Sequence, residues 1–368
     1  MTDRPVIPYG RQTVDEDDIA AVVEVLRSDF LTQGPAVVQF EEAVAERVQA
    51  RFAVAFANGT AALHGACAVA GLGKGDRVAT SALSFVASAN CARYVGSEVE
   101  FVDIDPETLN LDTSSVREGL DGLVAVHYAG LPARLAALTN RPRVVIEDAA
   151  HALGAWTPHG PVGNCSHSDM TCFSFHPVKP VTTGEGGIVT TNDADLAEAL
   201  RRFRSHGMRP QPERGGWCYE VAEIGMNYRM TDMQAALGRS QMRKLDGFIK
   251  RRQELASQYD RLLEGVGVQL PPQAPEGSGH GYHLYAIRTP HRREVYDQMK
   301  ARGIATQVHY IPIHHHPIYR DEGIELPNTE AAYEGLLTLP IFPRLTDEDQ
   351  LRVTETLIDV LRGLGVGS

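Results

Sequence analysis

Apolar residues recur first at helical spacing and then in short unbroken runs. Ile19, Val22, Val23 and Leu26 predict a helix reaching about Ser28, with Asp15 as its N-cap and Asp18 in the first turn. Phe40, Val44 and Val48 mark a second helix beyond the Gly34-Pro35 connection. Apolar runs then alternate with helical stretches: Ala53 to Phe56, Val78 to Thr80, Val99 to Val102, Leu123 to Val126, Val144 to Ile146 and Met170 to Phe173. Such short runs, lacking polar alternation, predict an α/β fold with a large, mainly parallel sheet covered on both faces. Its ligand site is then expected beyond the carboxyl ends of the strands.

A helix rich in Met and Leu is expected after Asn227-Tyr228-Arg229, and the proline-rich stretch 271–279 reads as a loop in a second unit. The domain change is placed near residue 245, to within about ten residues. This gives a large domain with an N-terminal segment over 1–245 and a smaller C-terminal α/β domain over 246–368. Leu351, Leu357, Val360 and Leu361 predict a last helix packing the smaller domain.

Composition narrows the function classes. A chain of 368 residues, 43% hydrophobic, can bury a substantial core. The net charge of −12, with no basic block, argues against nucleic acid as a partner, although local donors can still hold a nucleotide. The five cysteines are odd in number and form no C-x-x-C pair, so reduced thiols are expected. No apolar run is long enough for a bilayer, and the polar opening Met1-Thr2-Asp3-Arg4-Pro5 lacks the layout of a signal peptide. A cytoplasmic protein without a membrane partner is expected.

Candidate chemistry gathers just after the apolar runs. Taken alone, Lys179 reads as a solvated surface lysine. It lies, however, between the strand end Phe173-Ser174-Phe175 and the turn Gly184-Glu185-Gly186-Gly187. That context can hold an amine in a partly desolvated pocket and lower its pKa, as a Schiff-base lysine requires. Asp148 ends the run Val144-Val145-Ile146-Glu147, where a carboxylate can pair with a protonated pyridine nitrogen or else cap the Ala-rich stretch that follows. His151 either contacts the same ring or is a satisfied helix histidine. Gly59, Thr60 and Ala61 open an apolar helix, offering free backbone N–H groups to a phosphate or simply its N-terminal cap. Phe85 either covers the pyridine face or belongs to the core.

Several spaced segments in one order resemble the DegT/StrS-type sugar aminotransferases. They are Leu31-Thr32-Gln33-Gly34-Pro35, Asn58-Gly59-Thr60-Ala61-Ala62-Leu63, Glu147-Asp148-Ala149-Ala150-His151, the Lys179 segment, Gly225-Met226-Asn227-Tyr228-Arg229-Met230 and Gln307-Val308-His309-Tyr310-Ile311-Pro312. The resemblance covers nearly the whole chain. It implies the aspartate-aminotransferase-like fold of pyridoxal-phosphate enzymes (fold type I), with Lys179 carrying pyridoxal 5'-phosphate as a Schiff base. It further implies that Thr60 and Ser174 bind the cofactor phosphate, and that Asn227 reaches that phosphate from the neighbouring chain of a homodimer. Tyr9, the stretch Asp29, Phe30, Leu31 and Thr32, and Gln307, Val308, His309 and Tyr310 are implied to line the sugar-nucleotide site.

Within the family, Phe203-Arg204-Ser205-His206-Gly207-Met208 and the segment from Gln307 to Pro312 resemble the aminotransferases of pseudaminic-acid synthesis. That implies transfer of an amino group from glutamate, leaving 2-oxoglutarate, to C-4 of a UDP-linked 4-keto-6-deoxy-N-acetylhexosamine. Other UDP- or dTDP-linked 3-keto or 4-keto sugars remain open as acceptors. A sugar dehydratase on the same fold is disfavoured because the resembling dehydratases use histidine where this chain has Lys179. A non-catalytic regulatory protein on this fold is disfavoured by intact Lys179, Asp148 and Asn227. No metal is expected: His314, His315 and His316 are adjacent and no carboxylate pattern surrounds them, so this run reads as a surface or pocket rim.

Overall fold

A computed structural model describes residues 5–321 and 323–366; the polar opening from Met1 to Arg4 lies outside them. The expected helix is α1 (Glu16–Leu26), where Asp15 and Asp18 form a reciprocal capping box. Its inner side combines the apolar Val25 with a polar anchor. Asp18 is buried, accepting from Gln241 at 2.6 Å and pairing with Lys244 at 2.8 Å, while Ile19 and Leu26 are exposed. Next come α2 (Pro35–Val48) and α3 (Gly59–Val69), the latter capped by Asn58.

Every predicted run becomes a strand: β1 (Phe52–Phe56), β2 (Arg77–Ser81), β3 (Glu98–Val102), β4 (Gly122–Val126), β5 (Val144–Asp148) and, after the small hairpin β6 (Trp156–Thr157) and β7 (Gly160–Pro161), β8 (Met170–Ser174). They join β9 (Gly187–Thr191) in one seven-stranded sheet of order β1-β9-β8-β5-β4-β2-β3. The apolar runs do not predict β9. Its residues follow directly on a glycine turn and only Ile188 and Val189 are strongly apolar. β9 runs antiparallel to both β1 and β8, so the other six strands all point one way and their carboxyl ends share one edge.

Gly187 is the register point of that arrangement, opposite Phe56 on one side and Ser174 on the other. A Cβ there would lie 2.3 Å from the Asn58 carbonyl oxygen, so only glycine lets β9 meet the start of α3. The free edge at β1 is occupied by side chains. Glu41 of α2 accepts from the Ala55 N–H at 2.8 Å, and Arg204 donates to both Glu41 and the Ala55 carbonyl.

One sheet face packs on α3, α4 (Ala87–Tyr94) and α5 (Ala194–Phe203); the other packs on α2 and on α6 (Asp232–Met242), the helix expected after Arg229. The hairpin of β10 (Met208–Pro210) and β11 (Tyr219–Val221) stands off this body. In α7 (Leu245–Leu263), Leu245 and Ile249 pack on the sheet's core, whereas Leu255, Ala256, Tyr259 and Leu263 enter a second core. That second core holds β12 (Tyr285–Arg288), α8 (Arg292–Ala301), β13 (Leu336–Leu339) and α10 (Asp347–Gly363), with α9 (Pro327–Gly335) leading into β13. Ile7 packs there too, its N–H bonded to the Gly303 carbonyl at 3.0 Å. Leu357, Val360 and Leu361 face this core as expected. Leu351 does not; it is 41% exposed and Val353 takes the inward position.

Phe40 joins α2 to the sheet, fully buried and edge-on to Phe175 at 5.1 Å. Phe40→Ala is expected to cost about 3 kcal/mol or more and to lower the thermal midpoint by several degrees. Calorimetry showing an unchanged midpoint would contradict this packing.

Candidate active site

The carboxyl ends of β2, β4, β5 and β8 open into a cavity of about 700 Å³, closed from the other side by His283, His309, Tyr310 and Tyr9. Sheet and second core therefore build it jointly. It gathers Gly59, Thr60, Ala61, Phe85, Asp148, His151, Ser174 and Lys179 from the sequence-derived cofactor set, and Tyr9, His309 and Tyr310 from the substrate set.

Each wall has a local cause. Asn58 Oδ1 accepts from the Ala61 N–H at 2.8 Å, while the Gly59 and Thr60 N–H groups begin the helix and have no acceptor within it. A Cβ on Gly59 would come 2.9 Å from Ser174 Cβ, so the bare glycine keeps that hydroxyl against the helix start. Asp148 is buried at the tip of β5, where Ser88 Oγ donates to it at 2.6 Å and the Ala150 N–H at 3.1 Å. The stretch after Asp148 is a series of turns, so Asp148 caps no helix and His151 is not a helix residue.

His151 Nδ1 accepts from the Ala129 N–H at 3.2 Å; the neutral ring therefore carries its proton on Nε2, 2.9 Å from the Tyr310 hydroxyl. Burial, followed by the positive charge of Lys179, holds His151 well below the ordinary histidine range, so it stays neutral. The Lys179 amine is 3.4 Å from His283 Nε2. Desolvation pushes it down to about 8, with Asp148 pulling upward and Arg252 pushing down further.

Other expected residues lie elsewhere in the single chain. Asp29, Phe30, Leu31 and Thr32 are exposed outside the cavity, and Thr32 is bridged to Thr231. Asn227 is exposed and bridged to Ser205, although its neighbour Tyr228 lines the cavity. Gln307 exchanges backbone hydrogen bonds with Thr338, and neither it nor Val308 reaches the cavity. His283 was absent from the sequence-derived set. It lies far from Lys179 along the chain, just before β12, and no local motif marks it.

The histidine run departs from expectation in one respect: a carboxylate does face it. Glu330 of α9 is 2.7 Å from both His314 Nε2 and His315 Nε2, through one oxygen. These are hydrogen-bond separations, whereas ligands on a tetrahedral zinc ion at about 2.0–2.1 Å would stand roughly 3.3 Å apart.

The donor set fits pyridoxal phosphate. The α3 start and Ser174 offer an anion site, Asp148 a carboxylate for a protonated ring nitrogen, Phe85 an aromatic face and Lys179 an amine. A sequence model of the DegT/DnrJ/EryC1/StrS aminotransferase family matches residues 12–358. The chain is 34% identical over 385 residues to the UDP-4-amino-4-deoxy-L-arabinose–oxoglutarate aminotransferase of Shewanella sediminis, covering 96% of this chain and 98% of that one. Its structure is similar to Helicobacter pylori PseC, an aminotransferase involved in the biosynthesis of pseudoaminic acid. There the TM-score is 0.91 and the identity 30%, over 97% of this chain and all of the other. It is also similar to the PLP-form of Spr1654 from Streptococcus pneumoniae, with a TM-score of 0.90 and 27% identity over 98% and 99% of the two chains.

The depressed Lys179 value has a thermodynamic sign. A lysine titrating lower in the folded than in the unfolded chain penalises folding fully below about pH 8, and the penalty fades as pH rises towards 10.5. Lys179→Met, in protein stripped of cofactor, should therefore raise the thermal midpoint at pH 7, with the gain gone by about pH 10.5. A gain of equal size at both pH values would refute the desolvation account.

Proposed function

Because the chain belongs to the DegT/DnrJ/EryC1/StrS aminotransferase family and is a pyridoxal-phosphate-dependent nucleotide-sugar transaminase, we propose the following reaction. Glutamate gives its amino group to C-4 of UDP-4-keto-6-deoxy-N-acetyl-altrosamine, a step of pseudaminic-acid synthesis, within a homodimer. The observation that carries the chemistry is the desolvated Lys179 amine in the cavity that also holds Asp148 and the start of α3. The sugar assignment is supported by likeness to a protein described as acting in pseudoaminic-acid biosynthesis.

When bound, the cofactor supplies an electron sink for charge developing beside the reacting nitrogen. Asp148, oriented by Ser88 and Ala150, keeps the ring nitrogen protonated and so preserves that sink. Lys179 would anchor the cofactor covalently. Once displaced, its neutral amine takes the proton from the α-carbon of glutamate and later delivers one to the sugar carbon that becomes amine-bearing. A value near 8 keeps a useful fraction of that amine unprotonated near neutrality. The α3 start and Ser174 would hold the phosphate, and Tyr9, His309 and Tyr310, which line the same cavity, would flank the approach for the sugar nucleotide.

Dimerisation is supported by apolar surface left uncovered in one chain. Trp217 is 82% exposed and Ile224 93%, beside the exposed Tyr219 and Val221 of the β10–β11 hairpin. Asn227 belongs to the same exposed stretch, where a second copy would bring it to the partner's phosphate site. Five free thiols fit a reaction in the reducing cytoplasm. No described helix is long and apolar enough to cross a membrane.

Two experiments test this reading. With pyridoxal phosphate, glutamate and a panel of UDP- and dTDP-linked 3-keto and 4-keto sugars, mass spectrometry should find the amine on the UDP-4-keto-6-deoxy sugar. Selective amination of another sugar would overturn the pathway assignment. Lys179→Ala and Asn227→Ala chains should each be nearly inactive alone, yet recover about one quarter of wild-type activity when refolded together. That follows because half of the dimers are then mixed and each mixed dimer has one intact site. No recovery would contradict a site shared between chains.

A further inference from the structure

Arg252 of α7 is 1% exposed and has no carboxylate partner among the described residues. Its Nη1 donates to the carbonyls of Tyr282 at 3.1 Å, His283 at 3.3 Å and Ile341 at 3.0 Å, and its Nε has no partner. Burying a guanidinium against neutral carbonyls alone is costly, and a well-packed apolar side chain there would ordinarily be cheaper. The segment it grips is the one that carries His283, whose Nε2 meets the Lys179 amine and whose Nδ1 is buried without a partner.

We propose that Arg252 is a positioning residue for Lys179: its guanidinium fixes the Tyr282–His283 backbone that brings the His283 ring to the lysine amine, and places an uncompensated positive charge behind it. The titratable and charged groups around this amine come from both cores. Asp148 ends β5; His151 follows it; His283 and His309 arrive from the second core; His176 precedes the lysine in its own loop; Arg252 reaches in from α7. The three histidines His151, His283 and His309 are kept neutral chiefly by burial, so Asp148 and Arg252 are the opposed full charges. Arg252 offsets the attraction of Asp148 for a proton on Lys179, keeping the amine available as a base. This rests on reading Lys179 as the reactive amine, but its test requires neither cofactor nor sugar.

The full-length chain, stripped of cofactor, is acetylated with a trace of labelled anhydride across a pH series, and Lys179 reactivity is read by peptide mass spectrometry. The wild-type midpoint should lie near 8, Arg252→Lys should stay close to it, and Arg252→Met should move up by roughly half a unit or more. An unmoved midpoint in folded Arg252→Met would overturn the proposal, as would Arg252→Lys shifting as far as Arg252→Met, which is the pattern of a purely structural clamp. Should Arg252→Met fail to fold, wild-type protein labelled with ¹⁵N-histidine supplies the second measurement. The Nε2 resonance of His283, assigned with His283→Gln, should shift with the Lys179 midpoint; a flat response would overturn the contact. A wild-type chain that shows both of these readouts but no transaminase activity would mark failure of the reaction assignment instead.

Discussion

An amine held out of water beside a carboxylate is the constraint around which this protein is arranged. Lys179 lies in a loop between two sheet strands, with Asp148 at the tip of a third and Arg252 reaching in from α7. An isolated charge in such a place is costly, so proton affinity must be set by neighbours rather than by solvent. The sheet supplies the negative neighbour and α7 the positive one. The helix that links the two cores thus also contributes to the electrostatics of the cavity between them.

The antiparallel strand β9 makes the sheet side possible. It returns the chain from the Lys179 loop into the gap between edge strand β1 and β8, and Gly187 lets it pass against Asn58. As a result Ser174, the start of α3 and the Lys179 loop occupy one edge. Phosphate-binding backbone, hydroxyl and amine come from segments distant in sequence, and two glycines, Gly59 and Gly187, permit their close approach.

The sheet-end residues were legible in the sequence because each follows a run of apolar residues: Asn58 after β1, Phe85 after β2, Asp148 at the end of β5, Ser174 at the end of β8. Strand β9 was not, since it begins in glycines and has only two strongly apolar residues. His283 and Arg252 were hidden for another reason. Their role arises from the packing of the second core onto the sheet, and a buried arginine in a helix looks like any surface arginine until its carbonyl acceptors are known. The pairing of Glu330 with His314 and His315 was likewise invisible, because α9 returns to the loop from well downstream. Residues 29–32 and Asn227 were legible only by resemblance, and a single chain leaves them outside its own cavity.

Everything proposed for this cavity turns on Lys179 being the amine that anchors the cofactor. Borohydride reduction of the protein with pyridoxal phosphate, followed by peptide mapping, tests it directly. A stable phosphopyridoxyl group on Lys179, at about one per chain, is expected. Modification chiefly of Lys74, Lys244, Lys250 or Lys300, or of no lysine at all, would contradict it.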